Sequence, residues 1–192
     1  MPSATESLRA LGVDPVACTR FCEQPDLPTV GGTKNPDVAA IVALRPDLVV
    51  VNDEENRIED ARALRAHGLR LHSMSPRAVA DVGPAVVALA EAVGVGPPPR
   101  FADPGWSEWL AGARRAAAPA RTAAVLVWRR PWMTLAADTY GSSILAWCGA
   151  FNVKGAGRTT VHFSVPYKLK GFDGWVVTSS RQHPRPQVLL TT

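Results

Sequence analysis

Apolar residues recur every three or four positions in some stretches of this chain and run without interruption in others, and the alternation between these patterns predicts its elements. The pattern is clearest over residues 35–73. Asn35-Pro36-Asp37 predicts a helix start, with Asn as N-cap, Pro at the first helical position and an acid in the first turn. Val38, Ile41 and Val42 follow at helical spacing, and Arg45-Pro46 stops the helix. Residues 47–51, DLVVV, predict a short strand buried on both faces. A second helix is expected over 55–67, with Ile58, Ala61 and Leu64 on one face and Gly68 just past its end, and a second strand over 69–73. Helix, strand, helix, strand at this spacing implies right-handed crossovers on a parallel sheet.

A third helix is expected over 77–93, stopped at Gly94 and weakened, kinked or split in two by Pro84. Residues 94–105, GVGPPPRFADPG, form the main composition break and the expected lobe boundary. Trp106, Trp109, Leu110, Ala113 and Ala117 then share a helical face, which assigns the two tryptophans to packing. Residues 122–128, TAAVLVW, predict another buried strand, and 139–148 a helix with Asp138 as N-cap. Past Val153 the pattern decays, with one further strand expected over 172–178 and no period in the last fourteen residues. The expected organisation is an N-terminal α/β lobe over 1–93, a linker and connecting helix over 94–121, a partial second lobe over 122–153 and a divergent tail over 154–192. Two small parallel-sheet lobes joined by a helix, the second incomplete, make this an α/β protein.

Charge sharpens the division. The chain of 192 residues has a net charge of +4. Through Val153 there are 15 Lys and Arg against 16 Asp and Glu, whereas the last 39 residues carry six basic residues against Asp173 alone. Three of the four lysines also lie in that tail. The change of basic-residue usage points to a different origin for the tail, such as a shifted reading frame. The neutral body lacks the basic face interleaved with aromatics that nucleic-acid binding needs. No apolar run reaches the ~20 residues of a membrane span. The first residues show no basic and apolar signal pattern, and three cysteines make no disulfide framework, so the chain as written is expected to be cytoplasmic.

Several stretches together resemble the helical-backbone, class III substrate-binding proteins, the cobalamin, haem and iron–siderophore receptors. The residues carrying the resemblance are Pro2-Ser3-Ala4-Thr5-Glu6, Ala10-Leu11-Gly12, Thr19-Arg20-Phe21-Cys22, VGGTKNPDVAAIVALRPDLVVV (30–51), EENRIED (54–60), WRRPWM (128–133), Asp138-Thr139-Tyr140 and Asn152-Val153. Their order and spacing, over 2–153, are most similar to a cobalamin-binding branch lacking a signal peptide. The resemblance implies two α/β lobes joined by one long helix, with a ligand cleft between them. It also implies departures: the family opens with a strand before the Pro-Ser element, transport members carry a Glu at the position of Ala39 that docks on an ABC permease, and their second lobe is longer. The chain is thus expected to be truncated at both ends, and Ala39 puts delivery to a permease in question.

Under this resemblance Phe21, Trp128, Trp132 and Tyr140 are the aromatics near the cleft, suited to the faces of a flat corrin or haem ring. Trp132 follows Pro131 and stands on a turn, while Trp128 either walls the cleft or simply ends a core strand. Ser3, Gly32, Thr33, Asn35 and Asn56 are the polar candidates at the rim. The Gly31-Gly32-Thr33-Lys34 segment either brings backbone N–H groups to an anionic ligand edge or is a plain turn, and it lacks P-loop spacing. Glu54 and Glu55 fit a capping role. Cys18 and Cys22 are too loosely spaced for zinc without a second pair, and no histidine is selected as an axial ligand. No nucleophile elbow, carboxylate pair or metal-binding His pair is present, so no enzyme is expected. The leading expectation is a protein that binds a corrinoid or related tetrapyrrole without chemistry and without a prosthetic group. Two alternatives stand beside it: an iron–siderophore or haem receptor, periplasmic if its true start lies upstream, and a non-functional remnant of such a receptor.

Overall fold

The helix after the glycine turn starts two residues later than the sequence predicts, because the turn itself uses the backbone of residues 35–37. Gly32 N–H donates to Asn35 O at 3.2 Å and Asp37 N–H to Val30 O at 3.0 Å. Asp37, not Asn35, is therefore the N-cap, its carboxylate accepting from Ala40 N–H. The computed structural model describes residues 2–103, 105–116, 121–128, 132–152, 161–163, 174–178 and 187–189. They form two compact units, Met1–Ser75 with Val82–Trp106, and Pro76–Asp81 with Ser107–Thr192.

The first unit begins with helix α1 (Pro2–Ala10), followed by the turn just described and α2 (Val38–Leu44). Arg45 closes α2 in the left-handed region at φ 48°, and its N–H donates to Val42 O at 3.1 Å. Strand β1 (Val49–Val51) leads to α3 (Ile58–Ala66) and β2 (Leu71–Ser73). The two strands pair in parallel, with Val50 opposite His72, as the crossover pattern requires. Helix α3 starts at Ile58 instead of residue 55, because the side chain of Asn52 holds residues 52–56 in a turn. The expected helix over 77–93 is indeed in two pieces, a 3-10 turn at Val79–Asp81 and α4 (Val82–Ala92), with Pro84 in the first turn of α4, where its missing N–H costs nothing. A short helix α5 (Pro99–Ala102) forms within the composition break, and α6 (Gly105–Ala116) follows.

Ala4, Met74, Val86 and Leu89 form the buried core of this unit, and Leu89 is fully buried. Phe101 and Trp106 pack edge to face at 5.0 Å, and a Cβ on Gly83 would stand only 2.7 Å from the Trp106 indole nitrogen. Three sequence expectations are corrected here. The valines of β1 are half-buried, not buried on both faces, since β2 is the only strand paired with them among the described residues. Ile58 is 53% exposed, and Asp60 and Leu64 are the buried residues of α3. Trp109 is 61% exposed, so of the two tryptophans Trp106 is the one that packs, and Leu110 is buried.

The second unit is built on β3 (Arg121–Trp128). Three residues separate it from β4 (Trp132–Thr134), a link too short for anything but antiparallel pairing. Helix α7 (Tyr140–Trp147) and β5 (Ala150–Asn152) follow, and β5 runs parallel to the start of β3. Strands β6 (Val161–Phe163), β7 (Gly174–Thr178) and β8 (Gln187–Leu189) complete a sheet of order β6-β4-β3-β7-β8, with β7 parallel to β3. The strand expected over 172–178 is thus present as β7, while β8 has no counterpart in the sequence reading. Thr139, not Asp138, caps α7, since its hydroxyl accepts from Ser142 N–H. Buried Ser142 donates to Ala136 O at 2.6 Å and accepts from Asn152 Nδ2 at 2.8 Å. Ala117, Val153, Lys154 and His183 lie outside the described residues.

Candidate functional site

Residues at the C-terminal end of a parallel strand are where α/β folds place ligands, and the end of β1 carries a dense polar turn. Asn52 organises it. Its Oδ1 accepts from Glu54 N–H and Glu55 N–H at 2.9 and 3.1 Å, and its Nδ2 donates to Met74 O at 3.0 Å. Asn56 returns the arrangement: its Oδ1 accepts from Asn52 N–H, and its Nδ2 donates to Thr33 O at 2.9 Å. That last bond ties the turn to the glycine segment. Thr33 Oγ1 donates to a Glu55 carboxylate oxygen at 3.2 Å, and Lys34 Nζ donates to Glu54 O at 2.6 Å.

On the other side of the glycine segment stands Phe21, 38% exposed, with the Arg20 guanidinium 4.9 Å from its ring centroid. Arg20 N–H donates to Gly31 O at 2.9 Å, which fixes the two loops against each other. Gly31 needs its glycine: φ is +82°, and a Cβ would come within 2.6 Å of Asn35 O. At Gly32 a Cβ would meet the Asn35 Oδ1 at 2.7 Å and the Arg20 guanidinium at 3.3 Å. Phe21, Gly32, Thr33, Asn35 and Asn56 are therefore neighbours through Arg20 and the 31–35 turn. Ser3 is exposed in the first turn of α1.

Tyr140, Trp128 and Trp132 belong to the second unit. Tyr140 is 39% exposed at the start of α7, Trp128 closes β3, and Trp132 opens β4 opposite Phe163. Sequence reasoning gave Asn56 a contact role and the neighbouring acids a capping role, but passed over Asn52 and Arg20. The Asn-x-x-x-Asn spacing at a strand end was the available signal for Asn52, and an Arg next to an aromatic was the signal for Arg20.

Beneath this rim, Cys18 and Cys22 are buried, and Cys22 Sγ lies 3.4 Å from Thr5 Oγ1 and 3.5 Å from Thr19 Oγ1. Burial works to raise the Cys22 thiol, but the hydrogen bonds from Thr19 and Thr5 outweigh it and hold it below the ordinary thiol value. Burial and the neighbouring Cys22 push the Cys18 thiol up. No cluster of three or more His, Cys, Asp or Glu suited to a metal ion occurs among the described residues. The arrangement offers an exposed ring, the cations Arg20 and Lys34, a close backbone approach and fixed amide groups, a surface suited to binding.

No protein-family model matches the chain, and no curated protein does. Solved structures do. The periplasmic vitamin B12 binding protein BtuF of Vibrio cholerae superposes with TM-score 0.71 at 20% identity, covering 86% of this chain and 68% of that one. This chain has the fold of the periplasmic substrate-binding proteins. A periplasmic heme binding protein from Pseudomonas aeruginosa matches with TM-score 0.73 at 22% identity over 95% of this chain and 70% of its own. The periplasmic heme-binding protein RhuT from Roseiflexus sp. RS-1 gives 0.68 at 21% identity, covering 85% and 68%. The chain thus spans about two thirds of the length of these binding proteins. No helix among its described residues is long and apolar enough to cross a membrane.

Proposed function

We propose that the protein binds a large flat metal chelate, a corrinoid or related tetrapyrrole, and performs no chemistry on it. The fold supports a carrier, since the named structural neighbours bind vitamin B12 or heme. The observation that carries the reading is the Phe21 ring, exposed with Arg20 over it, beside the close-approach turn at Gly32, the neighbouring Asn35 and the fixed amide of Asn56. An aromatic face takes the ring of the ligand, and backbone and amide groups take its polar edge. Ser3 and Thr33 complete the proposed contact set of the first unit, and Tyr140, Trp128 and Trp132 are proposed as ligand-facing aromatics of the second unit by itself.

A haem reading is favoured by one feature, the Arg20 cation, which pairs with a carboxylate edge better than with the amide edge of a corrinoid. Delivery to a permease is no part of the proposal. Ala39 is exposed on α2 without a carboxylate, and the nearby Asp37 is engaged as the helix cap. Neighbours described as periplasmic favour a periplasmic binding protein over a cytoplasmic one.

Titration of the protein with hydroxocobalamin and, separately, with haemin, followed by visible absorption, tests both readings. Saturable binding of either ligand is expected, and Phe21→Ala should weaken it by roughly tenfold, the scale of one aromatic contact of ~1.4 kcal/mol. Arg20→Gln should weaken haemin more than hydroxocobalamin. Saturation by neither ligand would overturn the proposal.

A further inference from the structure

Cys18 and Cys22 meet beneath the loop that carries Arg20 and Phe21, and backbone bonds hold both ends of that loop. Cys18 N–H donates to Pro28 O and its C=O accepts from Val30 N–H, each at 3.0 Å. Cys22 N–H donates to Thr19 O at 2.9 Å and closes a turn. The chain thereby doubles back and brings two buried thiols together, the Cys18 side chain hydrogen-bonding the Cys22 sulfur. Their surroundings differ. Cys22 Sγ has the Thr5 and Thr19 hydroxyls at 3.4 and 3.5 Å, donors suited to a thiolate, whereas burial and the adjacent sulfur favour the protonated Cys18 thiol. Cys22 also lies between exposed Phe21 and Glu23, so local opening of one surface loop admits a reagent to it. The third cysteine, Cys148, is exposed in the other unit.

We propose that Cys18 and Cys22 are a redox-active pair that closes into a disulfide across this loop, with Cys22 attacking, Cys18 resolving and a small-molecule disulfide as the oxidant. The Cys22 thiolate attacks one sulfur of the oxidant, expelling a first thiolate and leaving a mixed disulfide on Cys22. The Cys18 thiol gives its proton to that thiolate, and its sulfur attacks Cys22 Sγ, expelling the second thiolate, which takes up the proton Cys22 released. Two protein thiols and one oxidant disulfide become one protein disulfide and two small thiols, a two-electron oxidation of the protein. Isolated buried cysteines pack as small apolar residues and stay inert. Contact between the sulfurs, hydroxyl donors at Cys22 and its place one residue below the surface are what exchange chemistry requires. The bridge would close a short loop whose interior carries Arg20 and Phe21, and so tie that loop to the Cys18 backbone pinned at Pro28 and Val30.

The test equilibrates the full chain in mixtures of reduced and oxidised glutathione, blocks the remaining thiols with iodoacetamide and digests with trypsin without reductant. Cleavage after Arg20 separates the two cysteines, so peptides 10–20 and 21–34 stay joined only where the bridge has formed. Mass spectrometry is expected to find them joined, with an equilibrium constant for closure roughly tenfold or more above that of the same chain unfolded in urea. In Cys18→Ser, glutathione should remain attached to Cys22, while Cys22→Ser should leave Cys18 unmodified. Failure of the two peptides to join in the most oxidising mixture overturns the proposal, as does closure no more favourable than in urea. Joining of either peptide to the one that contains Cys148, in place of the 18–22 bridge, also overturns it. So does the reverse pattern in the variants, with glutathione on Cys18 and none on Cys22.

Discussion

Gly31 and Gly32 are adjacent, yet their constraints differ in kind. Gly31 has a positive φ and faces backbone atoms of Asn35 and Asp37 at 2.6 and 2.9 Å, which cannot move without breaking the turn. Gly31→Ala is expected to cost about 1–3 kcal/mol in urea denaturation. Gly32 faces the ends of two flexible side chains, so Gly32→Ala should cost less than ~1 kcal/mol while pushing Asn35 and Arg20 aside. Its ligand affinity should fall by roughly tenfold, about 1.4 kcal/mol; equal stability losses in the two variants would contradict this division. His72 supplies a pH test. Burial holds its imidazole below the ordinary histidine value, and its buried Nε2 has no hydrogen-bond partner among the described residues. The unfolded chain then takes up a proton near pH ~6.5 that the folded chain resists. Stability is fully present above that pH and is lost as the pH falls through the lower folded value. Urea midpoints at pH 7.5 and 5.5 should differ less for His72→Leu than for the parent chain.

At the scale of elements, helix ends were the least legible feature, and the reason is local competition. Asn35-Pro36-Asp37 contains two competent caps, and only the backbone bonds of the glycine turn decide that Asp37 is used. Asp37→Ala is expected to cost about 0.5–2 kcal/mol, measured by denaturation, whereas Asn35→Ala should leave stability within ~0.5 kcal/mol. The same competition moved the cap of α7 from Asp138 to Thr139, and Asn52 delayed α3 by three residues. Strands were easier. The valine run, the 122–128 run and the 172–178 run all form strands, because a continuous apolar segment of that length has few other ways to bury itself. Strand β8 was illegible, since three residues carry no period.

For the whole molecule the decisive question is whether the chain folds and holds a ligand, against the reading of it as a remnant. A circular-dichroism melt with and without hydroxocobalamin or haemin decides this. A cooperative transition is expected, with a stabilisation of about 2.7 kcal/mol at a ligand concentration of 100 Kd. A melt with no cooperative transition would favour the remnant. Of the candidate site, Phe21, Gly32, Thr33, Asn35 and Asn56 were legible through the family resemblance, and the fold brings them to neighbouring loops of the first unit. Arg20 and Asn52 were not, because the bonds that place them reach chain distant in sequence, Arg20 N–H to Gly31 O and Asn52 Nδ2 to Met74 O.

By itself the sequence determined the α/β character, the parallel crossover of β1 and β2, the glycine turn and the division of the 77–93 helix just ahead of Pro84, all consequences of short-range periodicity and of the restricted backbones of Gly and Pro. Only the tertiary structure decided which of two adjacent residues caps a helix, that Val50 stands at an open edge, and that Trp109 faces solvent while Leu110 is buried. Those outcomes depend on which surface lies opposite each residue. A local pattern says that a side chain seeks burial, but what it is buried against is settled by chain that is far away in sequence.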